Sequence, residues 1–189
     1  MSITVWTIGH STRTGDELVS VLESYGIELV ADVRRFPGSR RLPQFQSEAL
    51  AERLAAADIA YRWLPELGGR RAPNTGSVNV AWRHPAFRAY ADHVASEEFA
   101  LGLFDLLMLA AGLRTVVMCA EILWWRCHRR LIADVLVSLG ITVVHIQSAD
   151  VASEHRLAPP ARIVRGRLTY DTEPGAVAAT ERALPSTTL

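Results

Sequence analysis

Between Cys119 and Arg130 the sequence reads CAEILWWRCHRR: two thiols, a carboxylate, an imidazole and three guanidinium groups behind the apolar run LRTVVM. Cys119 ends a strand-like run and faces a basic helix start, surroundings that lower a thiol's pKa and make it a candidate nucleophile. Glu121 follows that strand, where a carboxylate is costly unless paired. It is a candidate general acid or base, or a structural partner of Arg126 and Arg129. Cys127, Leu131, Val135 and Leu139 recur at every fourth position. That is the spacing of a buried helical stripe, so Cys127 reads as packing if the helix begins near Trp124. His128 and Arg129, both candidate ligand-binding residues, then turn to other faces. A zinc site drawn from Cys119, Cys127 and His128, with His10 or Glu121, is an alternative. Against it, C-x7-C-H is no standard zinc spacing, and adjacent helical residues diverge by about 100°. No metal and no cofactor is assigned.

TIGHSTR, Thr7 to Arg13, turns at Gly9 and then offers the imidazole of His10, the hydroxyl of Ser11 and the guanidinium of Arg13. It is neither a phosphate loop nor a dinucleotide fingerprint. His10 is a candidate for acid/base work, and Ser11 either binds a ligand or caps the next helix. ADVRRFPGSRRLPQF sets Arg34, Arg35, Arg40 and Arg41 against Asp32, with Ser39 among them. So one-sided a loop suits an anionic ligand: phosphate, nucleotide or nucleic-acid backbone. Arg70 and Arg71, after Gly68 and Gly69, extend the same chemistry. Phe36, Phe45 and Trp63 offer rings on which a base could stack.

Something must hold these residues. Short β-branched runs alternate with amphipathic stretches, the pattern of helices crossing between parallel strands. Strands are expected at 3–9, 28–34, 60–64, 115–120 and 142–146. Helices are expected at 16–26, 47–59, 84–112 as one or two segments, and 124–140. The fold class is therefore α/β, a single domain with a mostly parallel sheet of about five strands, and RIVRGRLTYD supplies an extra C-terminal edge strand. Every chemically loaded stretch follows a strand: GHSTR, DVRR, PELGGRR, CAE and HIQS. In parallel sheets the loops at those ends build the ligand crevice, which argues for one site. The domain is read as residues 1–170, with 171–189 a weakly ordered tail.

Half of the 189 residues are hydrophobic, enough for a proper core. All 20 basic side chains are arginines, balanced by 20 acidic ones, so net charge points to no partner. MSITVWTIGHS lacks a secretory leader, and FALGLFDLLMLAAGL, broken by Asp105, is too short to span a bilayer. A cytoplasmic protein without a membrane partner is expected, its cysteines free.

TIGHS, DVR followed by P-x-S-R and P-x-F, an LPELGG segment, and CAE followed by CHR together resemble the domain of unknown function 488 family, from about Thr7 to Ile146. The resemblance implies a compact α/β domain with motif positions at Gly9, His10, Ser11, Asp32, Arg34, Ser39, Arg40, Cys119, Glu121, Cys127, His128 and Arg129. Family members often carry a proline between CAE and CHR, where this chain has ILWW. The expectation is an enzyme acting on a phosphate-bearing small molecule or nucleic acid by N-glycosidic or phosphoester chemistry. His10, Glu121 and Cys119 are its candidate catalytic residues. Ser11, Asp32, Arg34, Ser39, Arg40, Arg41, His128 and Arg129 are its candidate binding residues. A non-catalytic nucleic-acid-binding module and a zinc or thiol-redox protein are the alternatives.

Overall fold

The run TVVMC is apolar without interruption because the strand it forms, β4 (Thr115–Cys119), is buried along its whole length. A computed structural model describes residues 3–38 and 41–171. Ser39, Arg40 and all of the expected tail 171–189 except Asp171 lie outside the described residues.

Strands β1 (Thr4–Gly9), β2 (Leu29–Asp32), β3 (Ala60–Trp63), β4, β5 (Thr142–Ile146) and β6 (Ala152–Glu154) form one sheet in the order β3-β2-β4-β1-β5-β6. The first five are parallel and β6 is antiparallel to β5. The extra edge strand thus comes from 152–154. RIVRGRLTY instead folds on itself as a separate hairpin, β7 (Arg162–Val164) and β8 (Arg167–Thr169).

Among the described residues five helices flank the sheet: α1 (Gly15–Ser24), α2 (Ser47–Ala55), α3 (Pro85–Val94), α4 (Glu97–Gly112) and α5 (Arg129–Ser138). The stretch 84–112 is two helices because the Ser96 side chain accepts from Phe99 N and restarts the chain as a new N-terminus. Thr14 caps α1 with a reciprocal bond to Glu17. Gly140, at φ 79, ends α5 in a conformation other residues adopt only with strain. The expected helix 124–140 starts late: Trp124–Arg126 is a 3-10 turn, Cys127 is extended, and α5 begins at Arg129.

Side chains along each strand alternate between two cores. Val5, Ala31, Val33, Val117 and Cys119 face a cluster that includes Tyr90, Phe99, Leu106, Leu131 and Leu136 of α3, α4 and α5. Ile8, Val30, Val116 and Met118 face Leu18, Leu22, Leu50 and Leu54 of α1 and α2. Helices whose strands step one way across the sheet share a face, as the single-handed crossover rule requires. The strand flanked by β1 and β2 is β4. Its chain leaves toward the α3–α5 face while both neighbours' chains leave toward the α1–α2 face. Such a reversal opens a crevice at the carboxyl end, and here that end is Cys119.

Candidate functional site

A cavity of about 480 Å³ occupies that crevice. Cys119, Ala120, Glu121, Cys127 and His128 line it from the β4 side, and Arg34, Arg35 and Phe36 from the loop after β2. Gly69 and Arg70, after β3, and His84, Phe87 and Tyr90, before and on α3, close it, with Trp125 and Arg126 alongside. The ends of β1, β2, β3 and β4 meet at one sheet edge, since Gly9 pairs with Cys119, and Asp32 with both Met118 and Trp63.

The two thiols meet at the lining: Cys119 Sγ is 2.9 Å from Cys127 Sγ. Cys127 Sγ is also 3.5 Å from His128 Nδ1. His128 Nε2 lies 3.1 Å from the Val33 carbonyl, so it carries the proton and leaves Nδ1 to face the sulfur. Because Cys127 and His128 precede the helix, they need not diverge as helical neighbours do, and both reach one cavity. Gly69 is required here, since a Cβ on it would lie 2.9 Å from His128 Nδ1. Burial pushes the Cys119 thiol well up, and its bond to Cys127 pushes it further. Burial alone would also raise Cys127, but the Cys119 thiol, His128 and Arg129 together hold it well below the usual range. The proton therefore stays on Cys119 and the charge rests on Cys127.

Arg129 supplies part of that field from a position 1% exposed. Its guanidinium donates to the Glu121 carbonyl and to Thr7 Oγ1 at 3.4 Å, and its Nε has no hydrogen-bond partner. Burial lowers its pKa, yet the neighbouring thiols raise it overall. Thr7 begins a buried chain of polar groups. Its hydroxyl meets His145 Nδ1 at 2.7 Å, His145 Nε2 meets His155 Nδ1 at 2.9 Å, and His155 Nε2 meets Asp134 Oδ1 at 2.9 Å. Tyr170 donates to Asp134 Oδ2 at 3.1 Å, and Trp124 stacks on His145 at 4.0 Å. Donors all point toward Asp134, so Arg129 is held by a directional network five groups deep. Of this network Arg129 was singled out in the sequence, and Thr7, Trp124, His145 and Tyr170 fell within the stretches TIGHSTR, CAEILWWRCHRR, HIQS and RIVRGRLTYD. Asp134 and His155 sit where spacing gives no signal.

The other sequence candidates divide between cavity and core. Glu121 lines the cavity, and its Oε1 accepts from Leu123 N at 3.2 Å. Its expected partner Arg129 binds its carbonyl instead of its carboxylate. His10 is 2% exposed, stacks on Phe45 at 4.0 Å and donates from Nδ1 to the Ser11 carbonyl. Burial and the nearby Arg34 charge lower its pKa to about 4. It faces the α1–α2 core and is absent from the cavity lining, as is Ser11. Asp32 is fully buried, so it does not present itself to a ligand. Arg34 Nε grips both its oxygens, Arg34 Nη2 reaches Oδ2 at 2.5 Å, and Tyr61 donates to the same oxygen. Arg34 also donates to the Phe45 carbonyl at 2.7 Å. Arg35 and Arg71 pair with Glu98 of α4. Of the arginines in the loop after β2, Arg34 is thus neutralised by Asp32 of the same stretch and Arg35 by Glu98 elsewhere in the chain. Arg41 is exposed outside the cavity lining. Among the described residues, Arg70 and Arg126 line the cavity with neither an ion pair nor a hydrogen bond to their guanidinium groups. Phe45 lies in the core and Trp63 donates to the Arg34 carbonyl, while Phe36, Trp125 and the His84 imidazole are exposed rings of the cavity.

Gly9 brings the β1 and β4 loops together. A Cβ there would stand 1.9 Å from the Glu121 carbonyl oxygen and 2.8 Å from Ile122 Cα, both backbone atoms that cannot rotate away. Gly9→Ala is expected to cost about 1–3 kcal/mol, the range for overpacking, and to displace Glu121. Denaturant melts measure the cost. A variant as stable as the parent would show that the Glu121 loop yields freely.

A family model described as Domain of unknown function DUF488 matches residues 14–136. The chain belongs to that family. No curated protein and no solved structure matches it. The DUF488 match starts after His10 and Ser11 and spans Asp32, Arg34, Cys119, Glu121, Cys127, His128 and Arg129. Among the described residues of this DUF488 chain, no group of three or more His, Cys, Asp or Glu side chains is placed to hold a metal ion. No helix among them is long and apolar enough to cross a membrane.

Proposed function

We propose that the protein is a cytoplasmic enzyme acting on a phosphate-bearing ligand of nucleotide or nucleic-acid type, with Cys127 as its nucleophile. One observation carries this: a thiol paired with an imidazole lines a recessed cavity whose other lining residues include two uncommitted arginines. His128, oriented by the Val33 carbonyl, takes the Cys127 proton, an arrangement that generates a thiolate at neutral pH. Arg70 and Arg126 attract the phosphate, while Phe36 and Trp125 offer faces for a base. Thiolate attack at phosphorus expels an alcohol that takes its proton from His128, and water, giving a proton back to His128, then attacks phosphorus and breaks the S–P bond, releasing phosphate and restoring the thiolate. N-glycosidic cleavage would employ the same cavity with Glu121 as the acid. A flat arginine ridge would have favoured a non-catalytic nucleic-acid-binding module, and the recess supports the enzyme. The cytoplasm suits two free thiols.

The test is a thermal shift. Inorganic phosphate, a mononucleotide or a short oligonucleotide at tenfold its Kd should stabilise the fold by about 1.4 kcal/mol, which for a chain of this size is roughly 3–6 °C. Arg70→Ala with Arg126→Ala should remove the shift and leave the unliganded Tm unchanged. No shift from any of the three at millimolar concentration rejects the phosphate reading.

A further inference from the structure

We propose that Cys119 and Cys127 form a reversible dithiol–disulfide pair that reduces a peroxide, with Cys127 as the attacking thiol and Cys119 as the resolving one. This rests on the assignment of Cys127 as the reactive thiol in the reading above and adds a second substrate class and an off state for the same cavity.

Geometry is the first support. The two sulfurs are 2.9 Å apart, against about 2.05 Å in a disulfide, so bond formation needs a side-chain adjustment and no rearrangement of the chain. Both residues line the cavity, so a molecule as small as hydrogen peroxide reaches them although each is largely buried. Nor are they equivalent. Cys119 is fixed at the end of β4, whereas Cys127 sits in the extended link between the 3-10 turn and α5. The charge distribution is the second support. His128 and Arg129 stand beside Cys127, and Cys119 keeps its proton and donates it toward Cys127. A low-pKa thiol beside a resolving cysteine is the arrangement of redox-sensitive sites.

The chemistry balances. The Cys127 thiolate attacks one oxygen of hydrogen peroxide; an S–O bond forms, the O–O bond breaks, and hydroxide leaves, giving a sulfenic acid. Cys119 then attacks the Cys127 sulfur; the S–S bond forms, the S–O bond breaks, and the departing hydroxide takes the thiol proton as water. The first hydroxide takes a proton from His128 or solvent. In sum two thiols and one peroxide give one disulfide and two waters, the two electrons coming from the sulfurs. A low-molecular-weight thiol restores the pair by exchange. While the bond is present, Cys127 has no lone thiolate for phosphoester chemistry.

The sequence provides a convenient readout, because Arg126 lies between the two cysteines. The full-length, reduced and desalted protein is treated with equimolar hydrogen peroxide, blocked with an alkylating agent and digested with trypsin. Expected is a mass for residues 115–126 joined to residues 127–129, lost on reduction. In the Cys119→Ser variant oxidation should stop at a sulfenic acid on Cys127 that dimedone traps. Cys127→Ser should react about tenfold more slowly than wild type, since its remaining thiol is protonated. The wild-type digest stands even if a variant fails to fold. Dimedone capture on wild-type Cys127 without the joined peptide would overturn the pair and keep the nucleophile. Unmodified cysteines would overturn both, as would one equivalent of zinc held by the thiols in the purified protein. A joined peptide alongside a failed phosphate thermal shift keeps the redox pair and rejects the phosphate reading.

Discussion

Arg34→Ala should be the most damaging of the arginine substitutions, costing about 3–5 kcal/mol, or roughly 6–20 °C in Tm. Arg34 is 8% exposed and Asp32 fully buried, and three of the four contacts that satisfy the Asp32 side chain from other side chains come from this one guanidinium. Removing it strands a carboxylate with the Tyr61 hydroxyl and the Arg34 backbone N–H, the most costly way to break a buried pair. The Phe45 carbonyl also loses its donor. Because Arg34 is a candidate anion-binding residue, this loss of stability must be separated from a loss of ligand affinity. Asp32→Asn combined with Arg34→Met, which leaves no unpaired charge, should recover much of the stability. If Arg34→Ala instead unfolds with less than about 1 kcal/mol of loss while abolishing the phosphate-induced shift, Arg34 is a ligand residue and its pair with Asp32 is incidental.

The fold should also weaken early on acidification, before most carboxylates titrate. Burial lowers His10 to about 4, with Arg34 adding to it, and burial lowers His145 to about 3, with His155 and Arg129 adding. In the unfolded chain each titrates near 6.5. Between about 6.5 and those folded values the unfolded state binds more protons, so stability is complete above pH 6.5 and falls as pH drops toward 4 and 3. At pH 5 each histidine accounts for a loss of about 2 kcal/mol, about 4 kcal/mol together. Urea midpoints at pH 7.5 and 5 measure the loss. Imidazole resonances followed by NMR should show two histidines unprotonated at pH 5 in the folded protein. A midpoint unchanged between these pH values would mean that the buried histidines find protonated forms of equal stability, and the directional chain to Asp134 would have to be redrawn.

These effects follow from side-chain parity, which the sequence held in plain view. The runs ITVWTIG, ELVADVR and TVVMCA identified the central strands, and a helical period with glycine stops marked the helices, because local propensity and burial agree there. Parallel order was legible from the alternation of strand and helix, and with it the gathering of Gly9, Asp32 and Cys119 at one edge. Which face each residue takes follows from a period of two. Ile8 and His10 share one face with Met118, Val30 and Asp32, while Thr7 points with Cys119 to the other. His10 and Asp32 do not line the cavity with Cys119, although all three lie at the carboxyl ends of strands.

Other features belonged to tertiary structure alone. CAEILWWRCHRR carries a helical stripe through Cys127, but the chain delays α5 to Arg129, because the 3-10 turn at Trp124–Arg126 lets Trp124 stack on His145 and lets Arg129 turn inward. That delay brings Cys127 and His128 to one cavity. The pairing of Arg35 with Glu98 spans 63 residues, and the link from His155 to Asp134 spans 21. A sequence displays residue types and local periods. Pairings across the fold depend on which strands become neighbours and which helix faces close over them, and only the folded chain decides those.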